Sequence, residues 1–195
     1  MSTTPDRHCA SIKLKSPRTA NSLENIASLR FKTAIASIVE NHSKWIQAAE
    51  KGMVYCNSIK SIRKNMLQKS ADVNIYPANL RNYCKQLYIL TSIMDDILTN
   101  AESISTQLKS LQECFCDSDI IGCTWNCKQI LSVVQIIVKS YRQELASRKY
   151  VVENIGHTQS LDQLMLFTIN WKHKMDVERE REILIKMLMF ELNLV

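Results

Sequence analysis

Four cysteines lie close together in the middle of the chain and could in principle bind a metal ion. Cys114, Cys116, Cys123 and Cys127 fall within 14 residues, and thiolates are preferred ligands of structural zinc. Their spacing is C-x-C followed by C-x3-C, whereas structural zinc sites usually begin with C-x2-C or C-x4-C. Cysteine is also a common small apolar residue of helical cores. The spacing therefore argues against a zinc site, and we expect no metal here.

No other residue pattern predicts catalysis. The neighbouring carboxylates Asp95 and Asp96 would point about 100° apart on a helix, so they would not form a paired acid and base. The three glycines are isolated from one another, which excludes a glycine-rich nucleotide-binding loop. HExxH and GxSxG motifs are missing as well. We therefore expect neither enzymatic activity nor a bound cofactor.

The first 20 residues are predicted to form a flexible tail, because they are rich in serine and threonine and contain two of the three prolines. Two proline-directed sites make Thr4 and Ser16 candidate phosphorylation sites. Thr4 is followed by Pro5-Asp6-Arg7, the form preferred by cyclin-dependent kinases, and a phosphate would cancel part of the positive charge of the tail. About half of the net charge of +6 lies in this tail. The remainder is too weakly basic to predict direct nucleic-acid binding.

Glycine and proline are scarce, with three of each among 195 residues. Such scarcity of chain breakers favours a few long helices over a β-sandwich or a Rossmann-type fold. No apolar run approaches the roughly 18 residues of a membrane span, so we expect a soluble, intracellular protein without membrane partners. Seven cysteines are then expected to be reduced thiols rather than a disulfide framework.

The segment from Leu80 to Phe115 carries a heptad seam, because its apolar residues alternate in steps of three and four. A narrow apolar stripe on one long helix cannot be buried alone and needs partner helices. We therefore predict an all-α fold: an elongated antiparallel bundle or coiled coil of three long helices with a C-terminal helical hairpin. The helices are expected at about residues 21–69, 79–115 and 124–155, with the hairpin at about 160–192, in a single domain spanning 21–195.

Several residues have predicted local roles. Gly52 interrupts the stripe of the first helix, where it either lets another backbone approach closely or marks a kink. Gly156 is expected to close the third helix in the left-handed conformation. Ser160 and Gln163 have the spacing of a capping box. The alternating charges of residues 178–182 predict a solvated face.

Residues 141–158 read YRQELASRKYVVENIGHT, and Trp171 and His173 follow. This stretch resembles the C-terminal part of the cyclin-dependent kinase 2-interacting protein family, in which a YR-x-EL, two basic residues, an HT pair and a W-x-H occur in the same order. The match extends upstream to Thr124-Trp125 and to the W-x6-G-x4-N-x-I pattern of the first helix, which starts at Trp45. The family's acidic-proline turn after HT is absent here, and the cysteine cluster is not part of the family pattern.

The resemblance implies a nuclear, non-enzymatic adaptor. Family members are associated with cyclin-dependent kinase 2, with the replication-initiating kinase Cdc7, and with a complex of AAA ATPases in which the protein pairs with a small helical protein. DNA replication, the genome-integrity checkpoint and maturation of the large ribosomal subunit are the processes implied. Heptads alone would equally allow a structural coiled-coil subunit of a cytoskeletal or tethering complex. A zinc-dependent nucleic-acid binder is a further alternative that the low charge disfavours.

Six residues of the resembling stretch are candidate partner contacts. Periodicity predicts Arg142 and Glu144 to be exposed on the third helix, which makes them the better candidates. Tyr141 falls on the apolar face of that helix, and Trp171 could fill the core of the hairpin. His157 at the helix junction could simply set the turn. His173, two residues after Trp171, is the sixth candidate partner contact.

Overall fold

The computed structural model describes residues 17–69, 76–172 and 176–194. Over these residues the chain is helical, with no strand and a single isolated β-bridge between Ile120 and Asn126. The predicted all-α class is confirmed. The five helices are α1 (Pro17–Gln68), α2 (Ala78–Gln112), α3 (Cys127–Ile155), α4 (Leu161–Lys172) and α5 (Asp176–Glu191). The predicted tail, with Thr4 and Ser16, lies outside the described residues except for residues 17–20, which belong to α1.

The first three helices run antiparallel to their neighbours in sequence. The ring of Phe31 near the start of α1 packs edge-on against Phe115, just beyond α2, at a centroid distance of 6.2 Å. Further along α1, Tyr55 contacts Tyr83 near the start of α2, so the two helices run in opposite directions. Ion pairs between α2 and α3 show the same reversal: Glu102 pairs with Arg142, and Asp95 pairs with Lys149.

Helices α4 and α5 lie one after the other along α3, both antiparallel to it. Three pairs of side chains establish this order: Asn170 with Ser147, Arg181 with Glu144, and Glu191 with Thr124. The described residues of α4 and α5 make no contact with each other, so the predicted hairpin is not formed. At 29 residues, α3 is about 43 Å long, which is enough to seat both short helices end to end.

Among the residues that the structure describes, the core consists of two clusters along the bundle axis. One cluster lies where α5 covers α3, and it contains Trp45 of α1 and Tyr141 of α3. The other lies where α4 covers α1 and α3, and it contains Trp171. The heptad seam of α2 contributes eight buried residues to the two clusters: Leu80, Leu87, Leu90, Met94, Ile97, Ala101, Ile104 and Leu108.

The boundary of α3 differs from the prediction because of its cap. The helix begins at Cys127 rather than near residue 124, since Asn126 is the N-cap. The Asn126 side chain accepts a hydrogen bond from the Gln129 backbone N–H, and the Gln129 side chain accepts one from the Asn126 N–H, both at 3.0 Å. This reciprocal capping box satisfies two backbone donors that the first turn would otherwise leave unpaired.

The other end of α3 closes without a left-handed residue. Gly156 has φ of −74°, so the predicted left-handed cap is wrong. A Cβ at this position would lie 2.0 Å from the Tyr76 hydroxyl oxygen, so close packing is the reason for glycine. The Ser160 cap is half formed: its Oγ accepts from the Gln163 N–H at 3.5 Å, but the Gln163 side chain accepts from Thr158 instead.

None of the described helices combines the length and the apolar character that crossing a membrane would require.

Candidate functional site

The structure does not bring the five candidate partner residues that it describes together on one surface. Tyr141 and Trp171 are buried, as their apolar positions predicted. Arg142 and His157 are exposed, but fourteen residues of chain, including the second half of α3, separate them. His173 lies outside the described residues.

Glu144 is mostly buried, which contradicts its predicted exposure. Its side chain is 13% exposed and forms ion pairs with Arg148, one turn later on α3, and with Arg181 Nη1 of α5 at 2.7 Å. Glu144 lies three residues after Tyr141, on the face of α3 that α5 covers. The carboxylate therefore serves as the internal counterion of two buried guanidinium groups.

Arg181 is also buried, although its charged surroundings predicted a solvated face. Its residue exposure is 0%, whereas the preceding Arg179 and Glu180 are exposed as predicted. The guanidinium carbon lies 4.6 Å from the ring centroid of Tyr141 and 5.6 Å from that of Trp45. Its Nη1 also lies 3.4 Å from the Ser140 hydroxyl. These rings and polar groups partly replace the water that a charged side chain loses on burial.

Burial and charge act in opposite directions on the Glu144 carboxyl. Burial alone would raise its pKa, but the guanidinium groups of Arg148 and Arg181 lower it below the ordinary value. His42 on α1 lies beside the same cluster, and its Nδ1 is 3.1 Å from the Tyr141 hydroxyl. Burial, reinforced by the charge of Arg181, lowers the pKa of His42 to about 4. The imidazole is therefore neutral at physiological pH.

A second carboxylate fixes the far end of α5. Glu191 accepts hydrogen bonds from the backbone N–H groups of Thr124 and Trp125 at 2.8 and 3.1 Å, and from the Thr124 hydroxyl at 2.6 Å. The Thr124 hydroxyl and these N–H groups lower the pKa of the Glu191 carboxyl. The Thr124-Trp125 pair of the resembling motif thus has a structural role here, because it donates the hydrogen bonds that hold the end of α5.

Gly52 of α1 leaves the space that the Trp171 ring occupies. The indole N–H of Trp171 donates to the Ala49 carbonyl oxygen at 3.0 Å. A Cβ at Gly52 would lie 2.1 Å from the ring carbon Cζ2. The predicted approach of another backbone to Gly52 is therefore wrong, because a side chain makes the close approach. Helix α1 runs from Pro17 to Gln68 through this position. The guanidinium carbon of Arg148 also lies over the indole, 4.7 Å from its centroid.

The two exposed candidates lie in different surroundings. Arg142 pairs with Glu102 of α2 at 2.6 Å, and the two side chains are 63% and 41% exposed. His157 stacks near the ring of Tyr76 at 5.3 Å and lines a groove of about 400 Å³ between α3 and α4. Exposed Tyr150 and Leu166 line the same groove.

The four clustered cysteines do not converge. Cys114, Cys116 and Cys123 are exposed, and Cys127 is buried at the start of α3. In the part of the chain that the structure describes, no three His, Cys, Asp or Glu side chains are grouped closely enough to hold a metal ion.

Two exposed apolar surfaces were not identified from the sequence. The α4 face consists of Leu161, Met165, Leu166 and Ile169, which are 40–61% exposed. The α5 face consists of Ile183, Met187 and Phe190, which are 52%, 42% and 68% exposed. A signal was present, because both helices carry apolar residues on more sides than a single core contact needs.

Comparison of the chain with protein-family models and with curated proteins gives no match. The family resemblance of the sequence motifs therefore stays a prediction.

Proposed function

We propose that this chain is a non-enzymatic nuclear adaptor of the cyclin-dependent kinase 2-interacting protein family. The observation that carries the adaptor function is the α5 face, an exposed apolar stripe on a helix whose inner side is fixed to the bundle. The family assignment rests on the motifs of residues 141–173 and their order.

The α5 face has the spacing of a helix that docks into a groove of a partner. Ile183, Met187 and Phe190 follow one another at i, i+4 and i+7, the pattern of anchor residues in helix-in-groove recognition. Arg181 and Glu191 hold the helix near both of its ends. A rigid helix loses little conformational entropy on binding, which favours affinity.

The charged residues with the most distinctive environments support a structural role. Glu144 pairs with both Arg148 and Arg181 inside the bundle, and Glu191 accepts hydrogen bonds from the loop before α3. The proposal therefore assigns no catalytic residue and no cofactor. It assigns partner contacts to the α5 face and to the exposed members of the resembling set, Arg142 and His157.

The partners of the proposal follow from the resemblance. They are the complexes of cyclin-dependent kinase 2 and Cdc7, the subunits of an AAA ATPase complex and a small helical protein. Through them the adaptor would act in DNA replication, the genome-integrity checkpoint and maturation of the large ribosomal subunit.

Affinity purification of the tagged full-length chain from nuclear extract, followed by mass spectrometry, tests this proposal. The informative variant is Ile183→Glu, and its matched control is Ile169→Glu, because the two isoleucines are 52% and 51% exposed. We expect the wild-type protein to recover AAA ATPases, a small helical protein or the two kinases. Ile183→Glu should lower their recovery roughly tenfold, as expected for an anchor residue.

Three outcomes would count against the proposal. Equal recovery by both variants would remove the α5 face as the contact. Recovery of cytoskeletal or vesicle-tethering proteins alone would favour the structural coiled-coil alternative. Recovery of neither kinases nor AAA ATPases would show that the motifs preserve a fold without the function.

A further inference from the structure

The α4 helix is apolar on both of its faces. Its inner face buries Leu164, Phe167 and Trp171 in the bundle. Its outer side is the α4 face, whose four large residues are 40–61% exposed. A surface helix normally turns a polar side to water, and contiguous exposed apolar residues indicate an interface. The α4 face is therefore expected to be covered in the functional state.

The charges of α4 indicate what covers it. Asp162 in the first turn and Lys172 in the last turn are its only charged residues, and both are exposed. Opposite charges at the two ends of one helix become complementary when a second copy of that helix lies antiparallel to it. Antiparallel packing also places the helix dipoles in the favourable orientation.

The spacing of the outer residues fixes one register. Asp162, Met165, Ile169 and Lys172 follow in steps of three, four and three, which is the seam of a short coiled coil. A two-fold axis at residue 167 pairs Asp162 with the second copy's Lys172 and Met165 with the second copy's Ile169. Ion pairs then flank two apolar layers, and Leu161 and Leu166 lie beside them.

We propose that the α4 face is a self-association surface, on which two copies of this chain pack with their α4 helices antiparallel. The contact is isologous, since each residue meets its counterpart symmetrically. A 12-residue helix is about 18 Å long, which is short for an interface. The dimer is therefore expected to dissociate in the micromolar range. Because the α5 face is a separate surface, the dimer would present two copies of it.

Sedimentation velocity of the full-length protein over a concentration series tests self-association. The wild-type chain should pass from monomer to dimer. Ile169→Glu should weaken the dimer at least about tenfold, as expected for a charge forced into an apolar layer. The matched variant Ile183→Glu should leave it unchanged. Circular dichroism of both variants checks that the bundle remains helical.

Two charge variants test the register and the identity of the occupant. Lys172→Asp leaves acidic residues at both ends of α4, and Asp162→Lys leaves basic residues at both ends. Each variant alone should lose dimerisation, because like charges meet twice. An equimolar mixture of the two should form heterodimers, because both ion pairs are restored. Both positions are exposed, so this test does not depend on a core substitution.

A wild-type chain that remains monomeric at all concentrations would overturn the proposal. A monomer that instead binds a different helical protein through Ile169 would assign the α4 face to that protein and would equally overturn it. A dimer that Ile169→Glu leaves intact, or variants that fail to restore each other, would exclude this surface or this register. None of these results depends on the partners of the α5 face.

Discussion

The two short helices occupy equivalent places along α3 but are held in different ways. Helix α4 is fixed by shape: Trp171 fills a notch that Gly52 leaves open, and its indole N–H bonds the Ala49 carbonyl. Helix α5 also buries apolar residues, Ile185 and Leu188, but two charged side chains add to its attachment. Arg181 pairs with Glu144, and Glu191 accepts hydrogen bonds from the loop before α3.

This difference determines how each helix responds to perturbation. When an apolar side chain is truncated, the free energy of unfolding falls in proportion to the buried surface and the packing contacts that are lost. A buried ion pair responds more sharply to the loss of one partner, because the other is left charged and desolvated. The α5 end of the bundle should therefore be sensitive to single charge deletions and to acid, whereas the α4 end should be sensitive to changes of volume.

The largest effect is expected for Glu144→Ala. This substitution leaves two buried guanidinium groups, those of Arg148 and Arg181, without their carboxylate. The free energy of unfolding should fall by about 3–5 kcal/mol, measured by urea denaturation. Hydrogen exchange should show faster exchange in α5 than in α4.

The matched control is Glu102→Ala, which removes the carboxylate of an exposed pair. Exposed ion pairs contribute about 0–1 kcal/mol, so this variant should remain close to wild type. A similar loss of stability in both variants would contradict the distinction between the buried cluster and the surface pair.

At the α4 end, Gly52→Ala should lower the free energy of unfolding by about 1–3 kcal/mol, as overpacking usually does. The loss is expected although alanine is the better helix former by about 1 kcal/mol. The added Cβ would lie 2.1 Å from the Trp171 ring, so the indole must leave its place.

A double-mutant cycle with Trp171→Phe measures the coupling between the two positions. The smaller ring should reduce the cost of Gly52→Ala, and hydrogen exchange should increase in α4 but not in α5. An equal cost of Gly52→Ala with either aromatic side chain would show that the notch is not what fixes α4.

Acid should weaken the α5 end through His42. Its pKa is about 4 in the folded protein, below the ordinary 6.5, so the unfolded chain takes up the proton first. Stability is therefore full above pH 6.5 and falls as the pH decreases from 6.5 to about 4. After allowance for solvent screening, the loss should be about 1–2 kcal/mol.

The variant His42→Gln should remove most of this pH dependence between 6.5 and 4.5, measured by urea denaturation at a series of pH values. The lowered pKa values of Glu144 and Glu191 place their own contributions below pH 4.5. An unchanged slope in His42→Gln would exclude this histidine as the group responsible.

Periodicity predicted the parts of the fold that depend on burial alone. Eight seam residues of α2 between Leu80 and Leu108 are buried as expected, and Tyr83 is half-buried. An apolar residue at a seam position has one favourable location. Periodicity could not predict the direction of α5 relative to α4. A polar break is equally compatible with reversal and with continuation, and here the length of α3 accommodates both helices.

The burial of Glu144 and Arg181 was not predicted for a different reason. Glu144 and Arg181 are 37 residues apart in sequence, and each by itself has the character of a surface residue. Only the docking of α5 on α3 makes each the counterion of the other. The same applies to Gly52, whose role depends on a tryptophan of α4 that no local pattern connects to it.

The smallest effect on stability is expected for Arg142→Ala, two residues before Glu144. Arg142 is 63% exposed and its pair with Glu102 is screened by solvent, so the free energy of unfolding should change by about 0–1 kcal/mol. Any loss of partner recovery by this variant would then reflect a lost contact rather than a weakened fold. Urea denaturation and affinity purification of the same preparation separate the two effects. A destabilisation as large as that of Glu144→Ala would instead make Arg142 part of the buried cluster and remove it from the binding surface.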